Sequence, residues 1–223
     1  MRPEALFDYF ADIERLPGIG KRNRLAIERI AGTRTRDLLF HLPTSLVDRR
    51  YRPKVRDAAP GSIATLEVVV DEHLPARNKR APYKVRCHDD TAELTLVFFH
   101  ARPDYLRKQL PEGERRIISG KLEHFQGDAQ ITHPDYMVSP EAANEELPLL
   151  ETVYPLTAGL SGKVLRKAVH AAIESVPALP EWQLPEIVSR ETWSDFLSAI
   201  KEIHNPSGPE TLSPKSPERR RLA

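Results

Sequence analysis

The sequence predicts an α+β protein, with a five-stranded β-barrel between a small helical region and a later helical segment. Three observations predict it. Apolar residues alternate with period two between about residues 61 and 139, the mark of strands with one buried face. Outside that stretch they recur at helical spacing. The chain of 223 residues also carries 20 prolines, about twice the usual share, and their concentration from Pro134 onward argues against one continuous domain. The expected organisation is a helical region over 1–56, a barrel over 61–139, a linker over 140–152, helices over 153–206 and a tail over 207–223.

Residues 3–13 read as an amphipathic helix with Leu6, Phe7, Phe10 and Ile13 on one stripe. Leu16-Pro-Gly-Ile-Gly-Lys-Arg22 follows, then a helix with Leu25, Ile27 and Ile30, closed by Gly32. A Gly-x-Gly turn between short helices is the hairpin of helix-hairpin-helix DNA-binding elements. Gly18 and Gly20 let the backbone turn tightly, and free N–H groups at the start of the second helix face a phosphate. Lys21, Arg22 and Arg24 supply counter-charge that reads no sequence. The same pattern fits an ordinary helical hairpin. A third helix holds Asp37, Leu38, Leu39 and Leu42, with Thr33 or Thr35 as N-cap, and stops at Pro43. The run Asp48-Arg-Arg-Tyr-Arg52 is a basic connector that also suits a nucleic-acid backbone.

Strands are expected at Ile63–Val70, Tyr83–His88 and Leu94–Phe99, then at Ile117–Phe125 and Ala129–Val138. A helix starting at Pro103 falls between the third and fourth. That order is the order of the five-stranded OB barrel. Gly120 suits the bulge or bend a small barrel needs to close. The phase of Leu94, Leu96 and Phe98 turns those side chains into the core and leaves Phe99 outside. Leu106 and Leu110, four apart, dock the helix and leave Tyr105 free. The loop between the first two strands carries Arg77, Lys79 and Arg80, placed to hold a nucleic-acid backbone. Beyond the acidic, proline-rich Pro140–Pro148, helices are expected at about Ser161–Val176 and Glu191–His204.

Charge and cysteine content narrow the classes. The single cysteine, Cys87, excludes an internal disulfide and a cysteine zinc site, and a reduced, cytoplasmic setting is expected. No apolar run approaches a membrane span, and acidic residues interrupt any signal-like stretch at the front. The net charge of +1 hides a gradient: residues 1–56 carry 13 Lys/Arg against 7 Asp/Glu, giving +6. A basic front permits contact with a polyanion. Gly162-Lys163 fails as a phosphate loop, because Thr157 and Val164 stand where Gly and Ser or Thr are required. His88 beside Asp89 and Asp90 is the best acidic–histidine cluster, without metal spacing. No serine sits in a nucleophile elbow. No catalytic residue and no metal site is assigned, and the chain alone is expected to hydrolyse no ATP.

Several stretches coincide with one family. They are Leu16-Pro-Gly-Ile-Gly20, Asp37-Leu-Leu-Phe-His-Leu-Pro43 with Asp48-Arg49, Phe98-Phe99 with Tyr105-Leu106, Ser119-Gly-Lys121 and His133-Pro134. Tyr154-Pro-Leu-Thr-Ala-Gly-Leu-Ser161, Ile203-His-Asn-Pro206 and Arg219-Arg-Arg-Leu-Ala223 complete the set. The chain resembles the N-terminal part of the RecG-type DNA helicases, which act on branched DNA in recombination and repair. The resemblance implies a wedge barrel that sits at the branch point of forks or Holliday junctions and parts the strands. It implies that two wedge aromatics, here Phe99 and Tyr105, stack on the last base pairs. A motor with Walker motifs, in cis or in trans, is expected after Arg219–Ala223, and ATP and magnesium belong to that motor. The chain is expected to be a monomer. An alternative is a protein-interaction barrel that binds the proline-rich tail of a single-strand-binding protein.

Overall fold

A computed structural model of the chain describes residues 3–78, 81–125 and 127–223. Two compact units divide it: a barrel unit of Asp48–Leu149, and a helical unit formed by the residues up to Val47 together with Leu150–Ala223.

The helical unit starts with three short 3-10 turns between Glu4 and Arg15, where the apolar stripe predicts one helix. Tertiary pairing interrupts it. Ala11 and Asp12 are extended, and the Ile13 and Thr35 N–H groups donate to Thr33 and Ala11 oxygens. Tyr9 and Ile13 are buried, whereas Phe7 is exposed. Helix α1 (Lys21–Ile30) buries Ala26 and Ile27 and leaves Leu25 in solvent. Helix α2 (Thr35–Leu39) is capped by neither threonine; the Asp37 carboxylate accepts the Arg34 N–H instead. Strand β1 (Ser45–Asp48) then leads into the barrel unit.

The barrel elements are β2 (Ile63–Leu74), β3 (Tyr83–His88), β4 (Glu93–Phe98), α3 (Pro103–Gln109), β5 (Arg115–Phe125), β6 (Asp128–Thr132) and β7 (Tyr136–Val138). Short helix α4 (Ala143–Glu146) follows them. The sheet runs β2-β3-β4-β6-β5-β7, and β2 pairs with β5 as well, which closes the barrel. Within this sheet the β4–β6 pairing is parallel and the other pairings are antiparallel. The predicted fifth strand is broken at His133, where φ is +49°, giving β6 and β7.

Leu66, Leu94, Leu96, Ile118, Leu122 and Ile131 fill the interior, and Leu106 and Leu110 of the α3 region join the same cluster. The bulge lies in β2, between Val70 and Glu72, not at Gly120. Gly120 is a close approach instead: a Cβ there would sit 2.8 Å from Ile131 Cγ2. Arg49, read as part of a basic connector, is buried. It binds Ser119 Oγ at 3.0 Å and Asp135 at 3.1 Å, and lies over the Tyr136 ring. Two arginines of that run therefore serve internal contacts, since Arg50 is held by Asp48.

The chain returns through β8 (Leu150–Val153), paired with β1. Helix α5 (Gly162–Ser175) is capped by Ser161. The helix expected over 191–204 is shorter, α7 (Phe196–His204) capped by Asp195, and a separate helix that the sequence did not announce, α6 (Pro185–Arg190), precedes it. Helix α8 (Pro217–Leu222) follows. Front and back of the chain share one core, in which Ile13, Ile27, Leu38 and Leu39 pack with Leu165, Val169 and Ile200. Inside it His204 Nε2 donates to the Leu39 carbonyl at 2.9 Å while Nδ1 accepts from the Tyr154 hydroxyl at 2.9 Å.

Candidate nucleic-acid interface

The site of most interest is the corner where β4 gives way to α3. Alternation turns Leu94, Leu96 and Phe98 inward, and Phe98 is 6 % exposed. The strand ends at Phe98, and the next ring, Phe99, is 47 % exposed. His100 turns the chain with φ +55°. Pro103 opens α3, where its missing N–H costs nothing, and Tyr105 stands 53 % exposed on its outer side. The buried Leu106 and Leu110 fix that orientation. Both sequence-predicted rings thus emerge at one corner of the barrel.

His133 braces this corner from the β6–β7 side. Its N–H donates to the Val97 carbonyl at 2.9 Å, and its Nε2 accepts the Phe99 N–H at 3.2 Å. The imidazole stands edge-on to Phe98 at 6.1 Å and tilted to Phe99 at 5.9 Å between ring centres. Exposed Arg102, Arg107 and Lys108 share the segment with Tyr105 and carry no ion pair among the described residues. Sequence reasoning passed over these cations, although Arg102, Tyr105 and Lys108 recur every third residue, a spacing that groups them on one helix side.

Of the β2–β3 loop cations, Arg77 is exposed, whereas Lys79 and Arg80 lie outside the described residues. Of the described loop residues, Pro75, Asn78 and Ala81 face Phe98, His100 and Pro103 across a cavity of about 250 Å³.

In the helical unit, Gly18 takes φ +79° and Gly20 is the N-cap of α1. Lys21 and Arg22 are exposed and free of ion pairs among the described residues. Arg24 is committed elsewhere, to Asp12 at 3.4 Å, Glu28 at 3.7 Å and Glu14 at 3.8 Å. Two of the three hairpin cations are therefore available, and Arg24 braces the hairpin.

The acidic–histidine cluster has separate uses. His88 pairs with Asp71, and Asp90 with Lys54. Partial burial pushes Asp89 up, but hydrogen bonds from Thr91, Val55 and Ala92 outweigh it and hold its carboxyl at about 2. No metal-competent group of three or more His, Cys, Asp or Glu occurs among the described residues. No helix among them is long and apolar enough to cross a membrane.

Barrel and aromatic corner together define the class, an OB-fold module whose sequence interrupts that of a helical unit. The chain belongs to the RecG wedge domain family, whose model matches residues 12–176. Among its relatives, the ATP-dependent DNA helicase RecG of Aquifex aeolicus is 26 % identical over 208 residues, covering 89 % of this chain and 26 % of the helicase. The RecG helicase of Pasteurella multocida is 30 % identical over 197 residues, covering 86 % and 28 %. The chain thus spans little more than a quarter of the curated relatives it matches. The solved structure of RecG bound to a three-way DNA junction superposes with a TM-score of 0.80 at 23 % identity, covering all of this chain and 30 % of that one.

Proposed function

We propose that this chain binds branched DNA and that its barrel parts the strands at the branch point. The observation that carries the reading is the opposite fate of two neighbours, Phe98 in the core and Phe99 in solvent, with Tyr105 exposed on the same corner. An exposed large aromatic forgoes burial, and a base face is one partner that compensates it. Stacking is worth about 1–3 kcal/mol per base, comparable to the few kcal/mol that unstacking one step costs. Two rings can therefore tip an opened pair toward staying open. Arg102, Arg107 and Lys108 on the corner, and Lys21 and Arg22 on the hairpin, supply phosphate contacts that carry no sequence information. The work is mechanical, and translocation would come from an ATP-dependent motor in cis or in trans. The relative solved on a three-way junction supports this choice of partner.

Titration of a fork and of the equivalent linear duplex tests the proposal. Phe99→Ala should weaken fork binding by about 1–3 kcal/mol, the worth of one stacked base. Duplex affinity should stay put, because a closed duplex offers no open pair to cap. Tyr105→Ala should act in the same direction. Equal losses on both DNAs, or none, would place the wedge elsewhere.

A further inference from the structure

We infer that His133 is the positioning residue of the Phe99 ring, holding it in the pose that caps an opened base pair; the inference rests on the wedge reading above. Among the described residues, His100, His133 and Thr192 are the non-glycine positions with positive φ, and the first two flank this corner. Such backbone is unfavourable for side-chain-bearing residues and persists where surrounding contacts over-determine it. Here the contacts come from His133 itself. Its backbone N–H holds the Val97 carbonyl, its ring nitrogen holds the Phe99 N–H, and its ring lies beside both phenylalanines. Phe99 is the first residue after β4 and would otherwise start a free turn. The imidazole gives its N–H a fixed acceptor, so the ring leaves the barrel in one direction. The accepting nitrogen, Nε2, must carry the lone pair, which puts the neutral ring's proton on Nδ1.

The bond is exposed, so its removal leaves an N–H that water can satisfy and costs the fold little. That separates positioning from a structural role. His133→Gln keeps an acceptor at about the right reach, whereas His133→Met has the same length and offers only a weak one. The fork-over-duplex affinity ratio and the thermal melt are measured for both variants, each in wild-type and Phe99→Ala backgrounds, and the ¹⁵N–¹H shift of the Phe99 amide is read in the wild-type background. We expect H133M to lower the fork ratio several-fold and to shift the Phe99 amide upfield, with H133Q near wild type in both. Melting should be close to unchanged throughout, and in the Phe99→Ala background neither variant should lower the ratio further. A wild-type fork ratio in H133M, or an equal drop with Phe99 already removed, overturns the inference. Failure of the wedge reading appears separately, as a Phe99→Ala chain whose own fork ratio equals that of wild type.

Discussion

Phe98 and Phe99 are chemically identical neighbours, and one residue of strand phase decides what each does. Phe98 belongs to the barrel cluster with Leu96 and Leu106, so Phe98→Ala should cost about 3–5 kcal/mol through the cavity it leaves. Phe99→Ala removes a half-exposed ring and should leave the melt nearly unchanged. Thermal unfolding of the two variants checks this, and the reverse ranking would mean that the phase is wrong by one. The phase was legible in the sequence because Leu94, Leu96 and Phe98 alternate without interruption. The role of His133 was not. Its contact joins residues 34 apart in sequence, Phe99 and His133, and no local pattern announces a ring nitrogen that accepts a distant backbone N–H. Arg49 misled for a similar reason: a run of arginines looks solvated until Ser119 and Asp135, far along the chain, are seen to enclose one of them.

At the scale of elements, the proposed function gives the hairpin before α1 and the α3 corner different roles. Lys21 and Arg22 flank a turn and carry no ion partner among the described residues, so their contacts would fall on phosphates. Replacing both with Ala should weaken fork and duplex about equally. It should also flatten log K against log salt by roughly 0.7–0.9 for each phosphate that is no longer neutralised. Titration at several salt concentrations measures that slope, and an unchanged one would make the hairpin a structural turn. The barrel strands could be read from period two, apart from their ends and the break at His133, since one buried face dictates the pattern. The front of the chain could not. Its apolar stripe resembles a helix, but the pairing of Asp12 with Arg34 is a tertiary contact that overrides local preference. Helix α7 was expected to start at Glu191 for a related reason, as the apolar spacing from Trp193 onward gives no sign of the turn at Thr192.

Across the whole molecule, the two units should answer acid at different pH. Burial, together with the positive groups His170, Arg219 and His41, outweighs the hydrogen bond to Leu39 and pushes the His204 imidazole down to about 4. An unfolded histidine titrates near 6.5, so the unfolded chain takes up the proton first. The contribution of His204 is fully present above about 6.5 and lost as pH falls toward 4, by up to about 3 kcal/mol. In the barrel, the depressed Asp89 carboxyl contributes above its unfolded value of about 3.9 and loses that only as pH falls through about 2. The two tryptophans, Trp182 and Trp193, both lie in the helical unit, so their fluorescence reports that unit alone. Its melt should fall steeply between pH 6.5 and 4, and His204→Gln should blunt the fall; a flat profile would overturn the assignment. The shared core of that unit has a further consequence, for the order of events on the ribosome. Leu38 and Leu39 are made early, but Leu165, Val169 and Ile200, which complete their core, follow only after the barrel unit has been made. At about 5–20 residues per second, a separation on the order of 125 residues keeps the first helices waiting roughly 6–25 s. The barrel, continuous in sequence, can close during that wait, so the helices translated ahead of it find their place after it.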